Sequence, residues 1–150
     1  MRRSVNLKKF FSLEETEIIA ASVSEAEKLT SAEIKVVVLG HCWIDIRDKA
    51  LQLLQKYGLN NTKERNGVML LLVIANREFV VFGDQGIHAH VHQRFWDHTR
   101  DEMARHFAEN RFGPGLCSGI RLIGTTLAQY FPKSPDDLNE LSNEVILENK

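Results

Sequence analysis

The sequence predicts an α/β domain on a small mixed sheet, a parallel pair of strands with a third added antiparallel, in the order αβαββαα. Three observations carry this. Two apolar runs rich in β-branched residues, at residues 34–39 and 68–74, read as buried strands. A segment of helical periodicity at residues 45–57 separates them, so the two strands run parallel across a right-handed crossover. A short connection through Asn76-Arg77 then leads into Phe79-Val80-Val81-Phe82, the pattern of a hairpin.

Each element has its own signals. Ser12 opens the first helix, and Glu15 three places on completes a capping box. Leu13, Ile18, Ile19, Val23, Ala26 and Leu29 supply the apolar stripe, which ends near Thr30. Gly40 closes the first strand. Ile46, Ala50, Leu53 and Leu54 mark the second helix, and Gly58 stops it. After Gly86 a long helix over residues 91–110 turns Phe95, Met103 and Phe107 inward, with Trp96 near that face. Gly113-Pro114-Gly115 is read as a break before a last core helix carrying Leu116, Ile120, Ile123, Leu127 and Phe131. Gly119, Gly124 and Ala128 are expected to let that helix approach the sheet closely. The core spans residues 10–132. In the tail, residues 133–150, Ser134 is expected to cap a short helix carrying Leu138, Leu141, Val145 and Ile146, either docked or used for self-association.

The 150 residues suit one domain with a real core, and 43% hydrophobic with 26% charged content is ordinary for a globular chain. A net charge of -1 removes the electrostatic footprint of a general nucleic-acid binder. No apolar run approaches the ~20 residues of a membrane span, and no apolar h-region follows the N-terminal charges. Cys42 and Cys117 lack any CxxC partner. A reducing cytoplasm is the expected setting, with a protein partner of unknown kind and no nucleic acid.

Strand direction gathers polar residues at one rim. A third strand antiparallel to the second places its exit beside the entrances of the other two. Ser31-Ala32-Glu33, Arg65-Asn66-Gly67 and Gly83-Asp84-Gln85-Gly86 therefore meet. Asp84 and Glu33 are the candidate carboxylates for a hard cation, with Asn66 and Gln85 as weaker oxygen donors. The same residues also suit a polar strand-end loop, with Glu33 capping or paired to Arg65 and Asp84 stabilising a turn. The carboxyl ends of the parallel strands, at the Gly40-His41-Cys42-Trp43-Ile44-Asp45 loop, are the competing location.

At these residues the chain resembles the TPM-domain family. The resemblance rests on Thr30-Ser31-Ala32-Glu33-Ile34, Asn66-Gly67-Val68-Met69-Leu70-Leu71, Phe82-Gly83-Asp84-Gln85-Gly86-Ile87 and Phe112-Gly113-Pro114-Gly115-Leu116. It implies a three-layer α/β/α sandwich. Members of that family include plant thylakoid-lumen proteins linked to photosystem II repair, some reported as acid phosphatases, animal receptor-associated proteins and many bacterial proteins. Ca²⁺ binding is described for some. For this chain the resemblance implies a soluble, unanchored, bacterial-type member with Ca²⁺, or Mg²⁺ in its place, at Asp84 and Glu33. Many relatives carry a signal peptide and an anchor, and many have glycine where Ala32 stands.

Other constellations were weighed. His88, His90 and His92 share a face if extended, and His88 and His92 are neighbours if helical, so Zn²⁺ or Ni²⁺ is an alternative to an exposed loop. Ser31 and Ser118 lack a nucleophile elbow. Cys42 beside His41 invites a thiolate–imidazole pair, though adjacent residues at a strand end point apart. No phosphate-binding glycine motif is present. Three functions follow: an accessory or interaction module that binds Ca²⁺ at Asp84; a metal-assisted phosphatase on monoesters, with Arg65 contacting phosphate; or a structural domain whose tail makes a homo-oligomer.

Overall fold

The computed structural model describes residues 7–133 and 143–148. The elements are α1 (Leu7–Phe10), α2 (Leu13–Glu27), β1 (Glu33–Leu39), α3 (Ile46–Lys56), β2 (Gly67–Val73), β3 (Glu78–Gly83), α4 (Gln85–His88), α5 (Gln93–Ala108), α6 (Phe112–Tyr130) and β4 (Ile146–Glu148). A 3-10 turn, Leu59–Asn61, precedes β2.

The sheet order is β3-β2-β1-β4. β1 and β2 pair in parallel from Glu33↔Gly67 to Leu39↔Val73, and β2 pairs antiparallel with β3 from Val68↔Gly83 to Val73↔Glu78. Every residue of β1 and β2 is buried, as their apolar character requires of strands covered on both faces. Ile34, Val36, Val38, Val68, Leu70 and Leu72 pack with Ile19, Val23 and Ala26 of α2, Met103 of α5, and Ile120, Ile123 and Leu127 of α6. The alternate residues Val37, Leu39, Met69, Leu71 and Val73 pack on Ala50, Leu53 and Leu54 of α3. This is the three-layer α/β/α sandwich. No helix among the described residues is long and apolar enough to cross a membrane.

The capping box forms as expected: Glu15 N–H donates to Ser12 Oγ at 3.1 Å and Ser12 N–H to Glu15 Oε1 at 3.3 Å. The stripe of α2 is narrower than expected, however, since Leu13, Ile18 and Leu29 are exposed. Gly113-Pro114-Gly115 does not break the chain. The break lies at Asn110, whose φ of 60° ends α5, and Pro114 sits in the first turn of α6, where its missing N–H costs nothing. Gly119 and Gly124 approach helices and not the sheet. A Cβ on Gly119 would lie 2.5 Å from Met103 Sδ in α5, and one on Gly124 2.7 Å from Ala26 Cβ in α2.

The tail also differs from expectation. Leu138 and Leu141 lie outside the described residues, but Ile146 is in a strand and not in a helix: β4 pairs parallel with β1 through Val37↔Ile146, Val38↔Leu147 and Leu39↔Glu148. Gly40 N–H donates to Glu148 O at 2.8 Å, and the Glu148 carboxylate receives Lys56 Nζ at 3.0 Å and the Tyr57 hydroxyl. A segment that covers an otherwise open strand edge does more than add area, because bare edges pair with other chains. A chain ended after residue 142 is expected to melt about 5 °C lower, from loss of about 2 kcal/mol of half-buried Ile146 and Leu147 contact. It should also elute larger in gel filtration. An unchanged melt and monomeric elution would show that β4 contributes nothing.

Candidate functional site

The rim forms where strand direction put it. The chain enters β2 through a turn in which Arg65 N–H donates to Thr62 O at 3.2 Å and Asn66 N–H to Thr62 Oγ1 at 3.1 Å. Arg65 takes the left-handed conformation, φ 53°, a state that costs a non-glycine residue of order 1 kcal/mol. Asp84, leaving β3, caps α4: its Oδ1 accepts from Gln85 N–H at 2.8 Å. Asp84 N–H donates to Gly67 O and Gly86 N–H to Arg65 O, each at 2.9 Å. Gly86 is needed here, because a Cβ would stand 2.3 Å from Glu64 O and 2.6 Å from Arg65 O.

Two side-chain networks sit on this frame. Arg65 grips Asp84 with both arms, Nε to Oδ2 at 2.6 Å and Nη2 to Oδ1 at 3.0 Å. The Asp84 side chain is 7% exposed and that of Arg65 41%. These bonds raise the Arg65 pKa above its ordinary value. Beside them Ser31 Oγ donates to Glu64 Oε2 at 2.9 Å, and Asn66 Nδ2 reaches Ser31 Oγ and Glu64 Oε2, both at 3.2 Å. All three sequence-distant segments are thus joined. Glu64 was not anticipated. As an exposed acid inside a polar turn it carries no local signal.

Glu33 turns to other partners. It lies beside Glu27, the last residue of α2, and both are buried. Glu27 Oε2 accepts from Ile34 N–H at 2.8 Å. Burial, with Glu33 adding repulsion and a hydrogen bond, pushes the Glu27 carboxyl up to about 8, against the lowering effect of the Ile34 N–H. The buried Glu27–Glu33 pair therefore favours holding a proton at neutral pH. Burial also lowers the pKa of Lys35, while the charges of Glu27, Glu144 and Glu33 oppose that. Glu27 was missed as well, because a glutamate at a helix end reads as solvated. Gln85, the other weak donor expected, is exposed and supplies its backbone N–H to Asp84.

The histidines diverge. His88 lies 6.4 Å from the Trp96 ring. His90 stacks on Tyr130 and meets Phe131 edge-on at 5.4 Å, and His92 precedes α5 without a side-chain cap bond. At the opposite loop His41 stacks on Trp43 at 5.9 Å, while Cys42 Sγ donates to Ile44 O. Among the described residues, no group of three or more His, Cys, Asp or Glu side chains is placed to hold a metal ion. What the rim offers a hard cation is two carboxylates, Asp84 and Glu64, with the amide of Asn66 and the hydroxyl of Ser31. The carboxylate and hydroxyl oxygens are of the kind Ca²⁺ or Mg²⁺ takes, while the Asn66 amide turns its nitrogen toward Ser31 and Glu64.

The sequence profile of the TPM domain matches residues 4–126. Among solved structures, the chain is similar to BA42 protein from the psychrophilic bacterium Bizionia argentinensis, with a TM-score of 0.89 and 36% identity over 95% of this chain and 98% of that one. The N-terminal domain of a P. gingivalis protein shares the fold at TM-score 0.67 and 22% identity, covering 81% of this chain and 79% of that one. A domain from Corynebacterium glutamicum does so at 0.64 and 15%, covering 83% and 78%. No curated protein matches the chain.

Proposed function

The chain belongs to the TPM-domain family, and from that premise we propose that its rim binds a divalent cation, Ca²⁺ or Mg²⁺ in its place, as an accessory module that responds to the ion. One observation supports this above others. Among the described residues, the buried Asp84 carboxylate is ion-paired with one arginine, which is 41% exposed and held in a left-handed backbone conformation. A cation arriving from solvent can exchange with the guanidinium at no change in the sign of the charge facing Asp84. Glu64 and Ser31 would supply further oxygens in place of the Glu33 expected from the sequence, and Asn66 would do so once its amide, now turned Nδ2-first toward them, rotates. A phosphatase would need more of the same residues, since Arg65 would have to meet a phosphate while Asp84 holds it. Binding needs a single exchange.

Because Arg65 must be displaced, the expected dissociation constant is in the weak range for Ca²⁺ modules, on the order of 10⁻⁴–10⁻³ M. An NMR titration with Ca²⁺ should move the amides of residues 64–66 and 84–86. Asp84→Asn should abolish the shifts while keeping the spectrum of a folded chain. Arg65→Asn, which removes the competing charge and tolerates the same backbone state, should tighten binding about tenfold, the effect of losing one charge pair worth ~1.4 kcal/mol. Absence of saturable shifts in both wild type and Arg65→Asn would overturn the reading.

A further inference from the structure

Away from the rim, at the carboxyl end of β2, lies a cavity of about 370 Å³. Its floor is Leu72 and Ile74 of the β2 end with Phe79 of β3, and its walls come from α5, the start of α6 and α1. Four phenylalanines line it in a chain. Phe79 and Phe107 meet edge-on at 4.8 Å, Phe107 and Phe112 are tilted by 34° at 5.7 Å, and Phe112 and Phe10 meet edge-on at 6.2 Å. Ala104 and Ala108 on α5 leave the space open. The volume falls in the range of small-ligand pockets.

Among the described residues lining it, Arg77 is the one cationic group. Arg77 lines the cavity from the β2–β3 turn and makes no ion pair among the described residues. Glu78 is also at the mouth, but it alternates with Val80 and Phe82, which face α3, and its Oε1 lies 3.4 Å from Asn76 Nδ2. Arg77 closes the turn through its N–H to Ile74 O at 3.2 Å and stands at φ 52°, a position where glycine is cheaper. Asn110, the second left-handed residue at this mouth, has φ 60°. An arginine in a left-handed backbone state lining an apolar, aromatic-walled cavity is an observed outlier of the kind that accompanies binding.

We propose that this cavity binds a small amphiphile with an apolar tail and an anionic head, of the class of medium-chain alkyl carboxylates, the tail among Phe79, Phe107 and Phe112 and the head on Arg77. The guanidinium fork matches a carboxylate in two parallel hydrogen bonds. Charge also argues against the chain's own N-terminal residues as occupant, since Arg2 and Arg3 would add to the positive charge of Arg77. The site shares no residue with the cation-binding rim and stands independently of that reading.

The test is an NMR titration of the full chain with decanoate, and with decanol as the neutral-headed control. Saturable shifts are expected at residues 74–79, 104–108 and 110–112, with decanol bound at least tenfold more weakly. Ala108→Trp, on an exposed position of α5, should fill the space and remove binding, and Arg77→Gln should weaken decanoate about tenfold while leaving decanol unchanged. Equal affinity for decanol, unaltered binding by both variants, or shifts confined to other surfaces would overturn the proposal. So would no saturable shift at all. Concentration-dependent shifts of these residues without decanoate would assign the cavity to a second copy of the chain, also overturning it.

Discussion

Gly86→Ala is expected to lower the melting temperature by about 6–12 °C, a loss of about 3 kcal/mol. The added Cβ meets two backbone carbonyls, Glu64 O at 2.3 Å and Arg65 O at 2.6 Å. Neither can step aside as a flexible side chain would. Arg65 O is held by Gly86 N–H at 2.9 Å, and Arg65 is fixed again through its two bonds to Asp84. Relief therefore requires moving the start of α4 or the turn entering β2, and either motion opens the Arg65–Asp84 pair. Gln85→Ala beside it, on an exposed side chain, should change the melt by no more than about 1 °C, within the ±0.5 kcal/mol typical of surface substitutions. Thermal melting followed by circular dichroism compares the two. If Gly86→Ala melts with wild type, the close approach of the two loops does not hold the rim.

Glu27→Gln should abolish a pH dependence that wild type displays. The folded carboxyl titrates near 8 and the unfolded one near 4.5. A group whose pKa is raised by folding stabilises the fold fully below its unfolded value, and that contribution is lost as pH climbs through the folded one. Wild type should therefore weaken between about pH 5 and pH 9, by up to about 5 kcal/mol and about 10 °C or more in melting temperature. Glutamine imitates the uncharged acid: an oxygen in the place of Oε2 still accepts from Ile34 N–H, and no carboxyl group is left to ionise. The variant should be flat over the same interval and should melt above wild type at pH 9. Lys35 runs the other way, since its lowered pKa adds stability only as pH rises through that group's own alkaline range. Glu33, Glu144 and Lys133, which also act on this pair, remain in both proteins. Parallel pH profiles for wild type and Glu27→Gln would refute the shared proton.

The difference between these residues and the ones legible from sequence is one of range. β1, β2 and α3 carry their burial in local periodicity, and the direction of each strand follows from the connection before it. That was enough to bring Ser31, Arg65, Asn66 and Asp84 to one rim. The orientation of a single carboxylate is not carried by such patterns. Glu33 meets Glu27, which shares the buried face of α2 with Ile19, Val23 and Ala26 but which, as a charged residue at a helix end, reads as solvated. The capping pattern around Asp84 was readable as a turn, but the arginine that closes on it depends on the left-handed state of Arg65, for which the sequence offers no glycine. β4 is beyond local reading altogether. Three residues hold no period, and their pairing partner lies at the other end of the chain. The cavity floor at Leu72, Ile74 and Phe79 likewise looks like ordinary core until the small side chains of Ala104 and Ala108 are set opposite it.

The parallel seam between β1 and β4 also sets the order in which the molecule assembles and comes apart. Crossover and hairpin bring β1, β2 and β3 together over short stretches of chain, so that sheet can form early. β4 joins after α6 has brought the chain back to Thr30 at Pro132, and it is repaid by three residue pairs and the Glu148 contacts with Lys56 and Tyr57. It is expected to be the last piece to arrive and the first to leave. Its amides, and the Gly40 N–H that it shields, should exchange with solvent through a local opening far below the free energy that guards Val36 or Leu70. Low local stability is thereby expected at one border of an otherwise cooperative core.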